Sequence, residues 1–182
     1  MSSLFNELSL QIKVAQQALQ TESDLTNIVN LSLQISTVLM SQASFERYSE
    51  IHSQYISFFA ILKDKLSEIK QKIEYQEIED AFYLSLSYEK IIPRLYIAFI
   101  IACSFEVPEF IDIILKMLPA VTHPLRGYML RYTIISFFPI NSEKLYDFAY
   151  SNFCEMLILL PQINILHPSI FDAVLGLISM NI

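Results

Sequence analysis

The stretch Phe45–Ile73, FERYSEIHSQYISFFAILKDKLSEIKQKI, decides the fold class. Phe45, Tyr48, His52, Tyr55, Phe59, Leu62, Leu66, Ile69 and Ile73 follow one another at alternating spacings of three and four residues. That is the period of an α-helix with one buried stripe; a half-buried strand would alternate every second residue. Lys63, Asp64, Lys65, Lys70 and Lys72 fall off this seam, so the charged cluster from Lys63 to Lys72 reads as a solvated helix face. His52 falls on the seam and reads as a core histidine. Taken alone the stretch fits a coiled coil. Beside a second helix of matching period it fits an antiparallel hairpin within a helical stack equally well.

Working outward, the same period recurs. Leu4, Leu8, Ile12, Ala15 and Leu19 form a stripe on a first helix. Ser23 and Asp24 are cap residues for a second, whose stripe is Leu25, Ile28, Ser32, Ile35 and Leu39. A fourth helix is expected from Glu77 to Lys90, ending before Pro93 because the residue preceding a proline resists the α region. A fifth runs from Pro93 to about Phe105. Phe110, Ile113, Ile114, Met117 and Leu118 define a sixth, with Glu109, Asp112 and Lys116 on its wet side. Pro124 opens a seventh that Pro139 ends, Ser142 caps an eighth through Phe153 and Leu157, and Pro168 opens a ninth. The pair His123-Pro124 returns as His167-Pro168, 44 residues later. Helix-pair repeats of the HEAT and armadillo type have periods of about 40–47 residues. The expectation is an all-α, HEAT-like α-solenoid of antiparallel helix pairs with about nine helices, forming a single domain over 1–182.

Composition bounds what such a fold can do. The chain has 182 residues, enough for one domain with a real core. Apolar residues make up 53% and charged ones 17%, against about 25% charged in ordinary soluble domains. Either most of the chain is buried or a broad apolar face serves another purpose. A net charge of −7 argues against nucleic acid, which demands a cationic footprint, and against direct docking on anionic lipid. The N-terminal residues carry neither the basic nor the apolar region of a secretory leader. The most apolar run, Leu95–Phe105, is eleven residues long, about half of what crosses a bilayer. Cys103 and Cys154 are isolated in apolar helical patterns and read as small buried hydrophobes of a reducing compartment. His52, His123 and His167 lie far apart with no partner at ligand spacing, so no zinc site is expected; His123 and His167 read as helix-entry residues. With no glycine-rich phosphate loop and no nucleophile–base arrangement, neither enzyme chemistry nor a cofactor is expected.

Two proline-led helix starts stand out. Ile91-Ile92-Pro93-Arg94-Leu95-Tyr96-Ile97 is followed, about thirty residues on, by His123-Pro124-Leu125-Arg126-Gly127-Tyr128-Met129-Leu130-Arg131. Proline suits the first turn of a helix, where its missing N–H has no intrahelical partner. An arginine there opposes the helix macrodipole by a few tenths of a kcal/mol up to about 1, so each needs an anionic or carbonyl partner. Gly127 costs a helix about 1 kcal/mol relative to alanine, which close packing of another backbone would explain.

Pro93-Arg94-Leu95-Tyr96 resembles the Pro-Arg-Leu-Tyr motif of the retromer solenoid subunit, the vacuolar protein sorting 35 family. His123-Pro124-Leu125-Arg126-Gly127 is similar to that family's second N-terminal signature, in the same order and at about the same spacing. Weaker similarity covers Leu4–Val14, Phe45–Phe59 and Ser151–Met156, so the resemblance extends to about Leu160. It implies a non-catalytic scaffold whose N-terminal helical repeats hold the arrestin-like subunit, the vacuolar protein sorting 26 family. Sorting nexins and cargo tails engage at the joint between the two subunits. The assembly is cytoplasmic and peripheral on endosomal membranes, where it coats tubules and returns receptors to the Golgi or the cell surface. Family members are several-fold longer, so the chain corresponds to their N-terminal third. By the resemblance, the partner-binding residues are Pro93, Arg94, Leu95 and Tyr96, with Arg126 from the second motif.

Read residue by residue, Arg94 either grips a partner carboxylate or ties its helix to a neighbour; Leu95 and Tyr96 beside it are ordinary core residues, which favours the second. Arg126 and Arg131 lie about 140° apart around their helix at 100° per residue, so one partner meets at most one of them. Arg131 reads as a solvated or locally paired arginine. Two other functions compete with the scaffold: a peripheral protein inserting its charge-poor helices five to seven into a membrane interface, and a reduced subunit that competes for the arrestin-like partner.

Overall fold

The computed structural model describes residues 2–41, 48–137, 151, 154–155, 157–159 and 161–162; within these, side chains at 2–9, 11–12, 41, 48–50, 52–53, 124–125 and 135–137 are excepted. The fold is all-α, and no strand occurs among the described residues. Among the described residues the helices with continuous bounds are α1 (Ser2–Thr21), α2 (Leu25–Ser41), α3 (Tyr48–Ile69), α4 (Tyr75–Leu86), α5 (Ile91–Phe105), α6 (Pro108–Met117) and α7 (Pro124–Phe137). Single 3-10 turns follow α3 at Lys70–Lys72 and α6 at Leu118–Ala120. Contacts divide the chain into two compact units, Met1–Lys116 and Met117–Ile182. Of the further helices expected, the described residues between Ser151 and Gln162 are helical. Ser142, Phe153, Pro139 and Pro168 lie outside the described residues, as do Phe45 and the side chains of Leu4, Leu8, Ile12, Tyr48 and His52.

In the unit Met1–Lys116 the helices fall into two rows. α1 packs beside α3 and α3 beside α5, while α2 packs beside α4. Phe82 of α4 stacks on Phe110 of α6 at 3.9 Å between ring centroids, which brings α6 to the even row. Across the rows α2 meets α1, α3 and α5, and α4 meets α5. The expected stripe of α2, Leu25, Ile28, Ser32, Ile35 and Leu39, is buried throughout, and Val29, Leu33, Ser36 and Met40 are buried with it. Four neighbours require a face this wide; one stripe would serve a simple hairpin.

Short local signals set the connections. Asp24 Oδ2 accepts from Asn27 N at 2.8 Å and so caps α2, as expected of that residue. Glu22 Oε1 accepts from Ser23 N and Asp24 N at 2.8 and 3.0 Å, and these backbone bonds hold its carboxyl below the usual range. Glu74 and Glu77 form a reciprocal capping box that starts α4 two residues before the expected Glu77. α4 stops at Leu86, four residues short of Lys90, and a turn carries the chain to α5.

α3 corrects the reading of its charged cluster. Lys65 is only 7% exposed and donates to Gln20 O at 2.9 Å, at the last turn of α1. An ammonium there satisfies a carbonyl that the helix end leaves open and suits the negative end of the dipole. Its stem lies among apolar neighbours, since Ile51, Tyr55, Phe58, Leu62 and Ile69 are buried on the same face. Lys63, Asp64 and Lys72 are exposed as expected, and Lys70 pairs with Glu106 at 2.7 Å.

α5 carries no charge beyond Arg94, and 12 of its 15 residues are buried. A helix apolar all round belongs inside a protein. Glu106 ends it in the left-handed region at φ 59°, where glycine is the usual residue. Pro108 then begins α6, which buries Phe110, Ile111 and Ile114 and leaves Glu109, Asp112 and Lys116 exposed.

Candidate partner-binding site

The corner between α4 and α5 carries the first motif. Ser87 N donates to Tyr83 O at 2.9 Å to close α4. Tyr88 OH and Thr37 Oγ1 share a hydrogen bond of 2.9 Å that ties the corner to α2. α5 begins at Ile91, two residues before the expected Pro93, so the proline is its third residue and not its first. The position is still compatible with helix: the first-turn N–H groups have no intrahelical acceptor, and the carbonyl with which the ring would clash, that of Glu89, lies before the helix.

This shift moves Arg94 to the fourth helical position, where its N–H makes the first helical bond, to Lys90 O at 3.1 Å. Its guanidinium turns back against the chain direction, and Nη2 donates to Glu89 O at 3.2 Å. That is the carbonyl partner which a cation in the first turn requires. Arg94 is half-buried; its Nε is shielded from solvent and has no hydrogen-bond partner among the described residues.

The other three motif residues face inward. Pro93 is buried, Leu95 is 0% exposed and Tyr96 is 2% exposed. The Tyr96 ring sits 4.9 Å from that of Tyr55 and 5.0 Å from that of Phe59, joining α5 to α3. Tyr55 OH in turn donates to Ser36 O at 2.8 Å, which brings α2 into the same joint. Pro93, Leu95 and Tyr96 therefore frame the site without touching anything that approaches from outside, and Arg94 alone of the four reaches the surface. This agrees with the core reading of Leu95 and Tyr96.

The second motif opens α7, in the unit Met117–Ile182. Here Pro124 is the first helical residue, as expected, and His123 stands at the cap. His123 O accepts from Gly127 N at 2.8 Å, and Nδ1 lies 3.5 Å from Arg126 N, a long contact. Arg126 is half-buried. Arg94 and Arg126 belong to different units.

Arg131 takes the second of its two expected forms, locally paired and not solvated. It is 3% exposed, with Nη1 donating to Gly127 O at 3.2 Å and Nη2 to Leu118 O at 3.3 Å. Glu155 Oε2 lies 3.8 Å from Nη2. Burial pulls its pKa down and Glu155 opposes that effect. Gly127 makes the space: a Cβ there would meet Arg131 Nη1 at 3.0 Å and the Val121 carbonyl oxygen at 3.2 Å. Close approach of another backbone, the reason expected for this glycine, is therefore present, and the buried guanidinium is a second. The one signal in the sequence was the four-residue spacing from Gly127, which stacks a bulky cation over the turn without a side chain.

Of the charge-poor helices, α5 buries the run Leu95–Phe105 but for Cys103, α6 buries Phe110, Ile111 and Ile114, and α7 buries Tyr128, Met129, Leu130, Arg131, Thr133 and Ile134 among its described side chains. Among the described residues no helix is long and apolar enough to cross a membrane. Cys103 is half-buried and not fully buried as expected; loss of water around it still pushes its thiol up to about 12, with Lys63 opposing, so it is protonated at neutral pH and a poor nucleophile. No three of His, Cys, Asp and Glu gather at metal-binding distance among the described residues.

Compared with known proteins, the chain matches no protein-family model, and no curated protein matches it.

Proposed function

We propose that this chain is a non-catalytic scaffold: an α-solenoid segment of a retromer-type endosomal sorting coat that binds the arrestin-like subunit and helps retrieve cargo receptors. The observation that carries the reading is the form of the Pro93–Tyr96 corner. A motif resembling the family's partner-binding motif keeps three residues in the core and leaves one, the half-buried Arg94, at the surface with its guanidinium on Glu89 O. The two-row packing of α1 to α6 supports a solenoid, because alternate helices that stack side by side can be extended by adding pairs. Burial of the charge-poor helices supports a protein partner over a lipid one. Sorting nexins, cargo tails and an indirect endosomal location follow from the same resemblance.

Calorimetric titration with the arrestin-like subunit of the same organism tests this, with Arg94→Ala and Arg94→Lys beside the wild type and circular dichroism on all three. The expected result is binding by the wild type, at least tenfold weaker binding by Arg94→Ala, and unchanged helicity. Lysine should not rescue, since it lacks the planar fork that bonds Glu89 O and a partner acceptor together. A folded wild type with no affinity at micromolar concentration would overturn the proposal.

A further inference from the structure

We draw no further inference here: the strongest candidate, the outward face of α4 where Tyr75 and Tyr83 stand exposed among Glu77, Glu79 and Asp80, is an acidic cluster on a solvated helix face, and nothing in the structure shows what covers it.

Discussion

The starts of α5 and α7 look alike in sequence and differ in three dimensions. Both place a proline and then an arginine ahead of a long apolar run. In α5 the proline is the third helical residue and Arg94 folds back onto Glu89 O at the surface. In α7 the proline is the first, Arg126 stays half-buried, and the arginine that matters to packing is Arg131, one turn past Gly127 and 3% exposed. A shift of two positions turns a side chain by about 200° around a helix. The two motif arginines are both half-buried; the buried tie of α7 comes from Arg131, beyond the motif. A motif fixes the order of side chains; the helix start decides which way they point.

The comparison can be broken at several points, beginning with the largest effect. Tyr96→Ala should cost about 4 kcal/mol, because it empties the ring joint between α3 and α5. Urea unfolding measures this, and a loss below about 1 kcal/mol would mean the motif's tyrosine is not the core residue described. Next come the two arginines, each changed to methionine. Arg131→Met should lose about 2 kcal/mol, since the buried Leu118 O is left without its donor while the half-exposed Glu155 is rehydrated. Arg94→Met should stay within about 0.5 kcal/mol, as a half-buried side chain with one carbonyl contact. Equal losses in the two would erase the distinction between them.

Gly127→Ala sharpens the α7 side. Its helix-propensity gain of about 1 kcal/mol should be outweighed by contact with the Val121 carbonyl and the Arg131 guanidinium. In the Arg131→Met background part of that penalty should disappear, because one of the two close neighbours is gone. A double-mutant cycle reads the coupling, and strict additivity would show that glycine and arginine do not share the space. Lys65→Met should cost about 1 kcal/mol and speed amide exchange in the last turn of α1, where Gln20 O loses its donor.

The smallest effect is electrostatic. The bond from Lys70 holds the Glu106 carboxyl below the usual carboxylate range. Its contribution to stability is therefore complete above the unfolded-state pKa and is lost as pH falls through the lower folded value. Glu106→Gln should flatten the acid side of the stability–pH curve slightly, with no change at neutral pH beyond loss of the pair. Glu106→Gly should raise Tm a little despite losing that pair, since glycine occupies the left-handed region without strain. A lower Tm for the glycine variant would show the Lys70 bond to outweigh the backbone cost.

Much of the architecture was legible because it depends on period and caps, which are local. The α2 stripe and the Asp24 cap required only the spacing of apolar residues and one short acidic side chain before them. The same spacing misjudged Lys65. The buried face of α3 carries a second ladder, Ile51, Tyr55, Phe58, Leu62, Lys65 and Ile69, at the same alternating intervals, and residue type alone places its lysine in solvent. A lysine can join a core only where a carbonyl waits at its tip, and Gln20 O belongs to a different helix. The local pairing of Arg131 with Gly127 O is legible, but its burial is not, because Leu118 O and Glu155 are remote in sequence and near in space.

Sequence alone determined that this protein is helical, where most helices run, that α5 is an interior helix, and that Leu95 and Tyr96 are core residues. These follow from composition and period, which act within one helix. Tertiary structure decided the first residue of α5, the side on which Arg94 emerges, the burial of Lys65 and Arg131, and the second reason for Gly127. Each of these turns on an acceptor or a close neighbour brought up by packing. Such partners satisfy buried polar groups at a cost that no local pattern encodes.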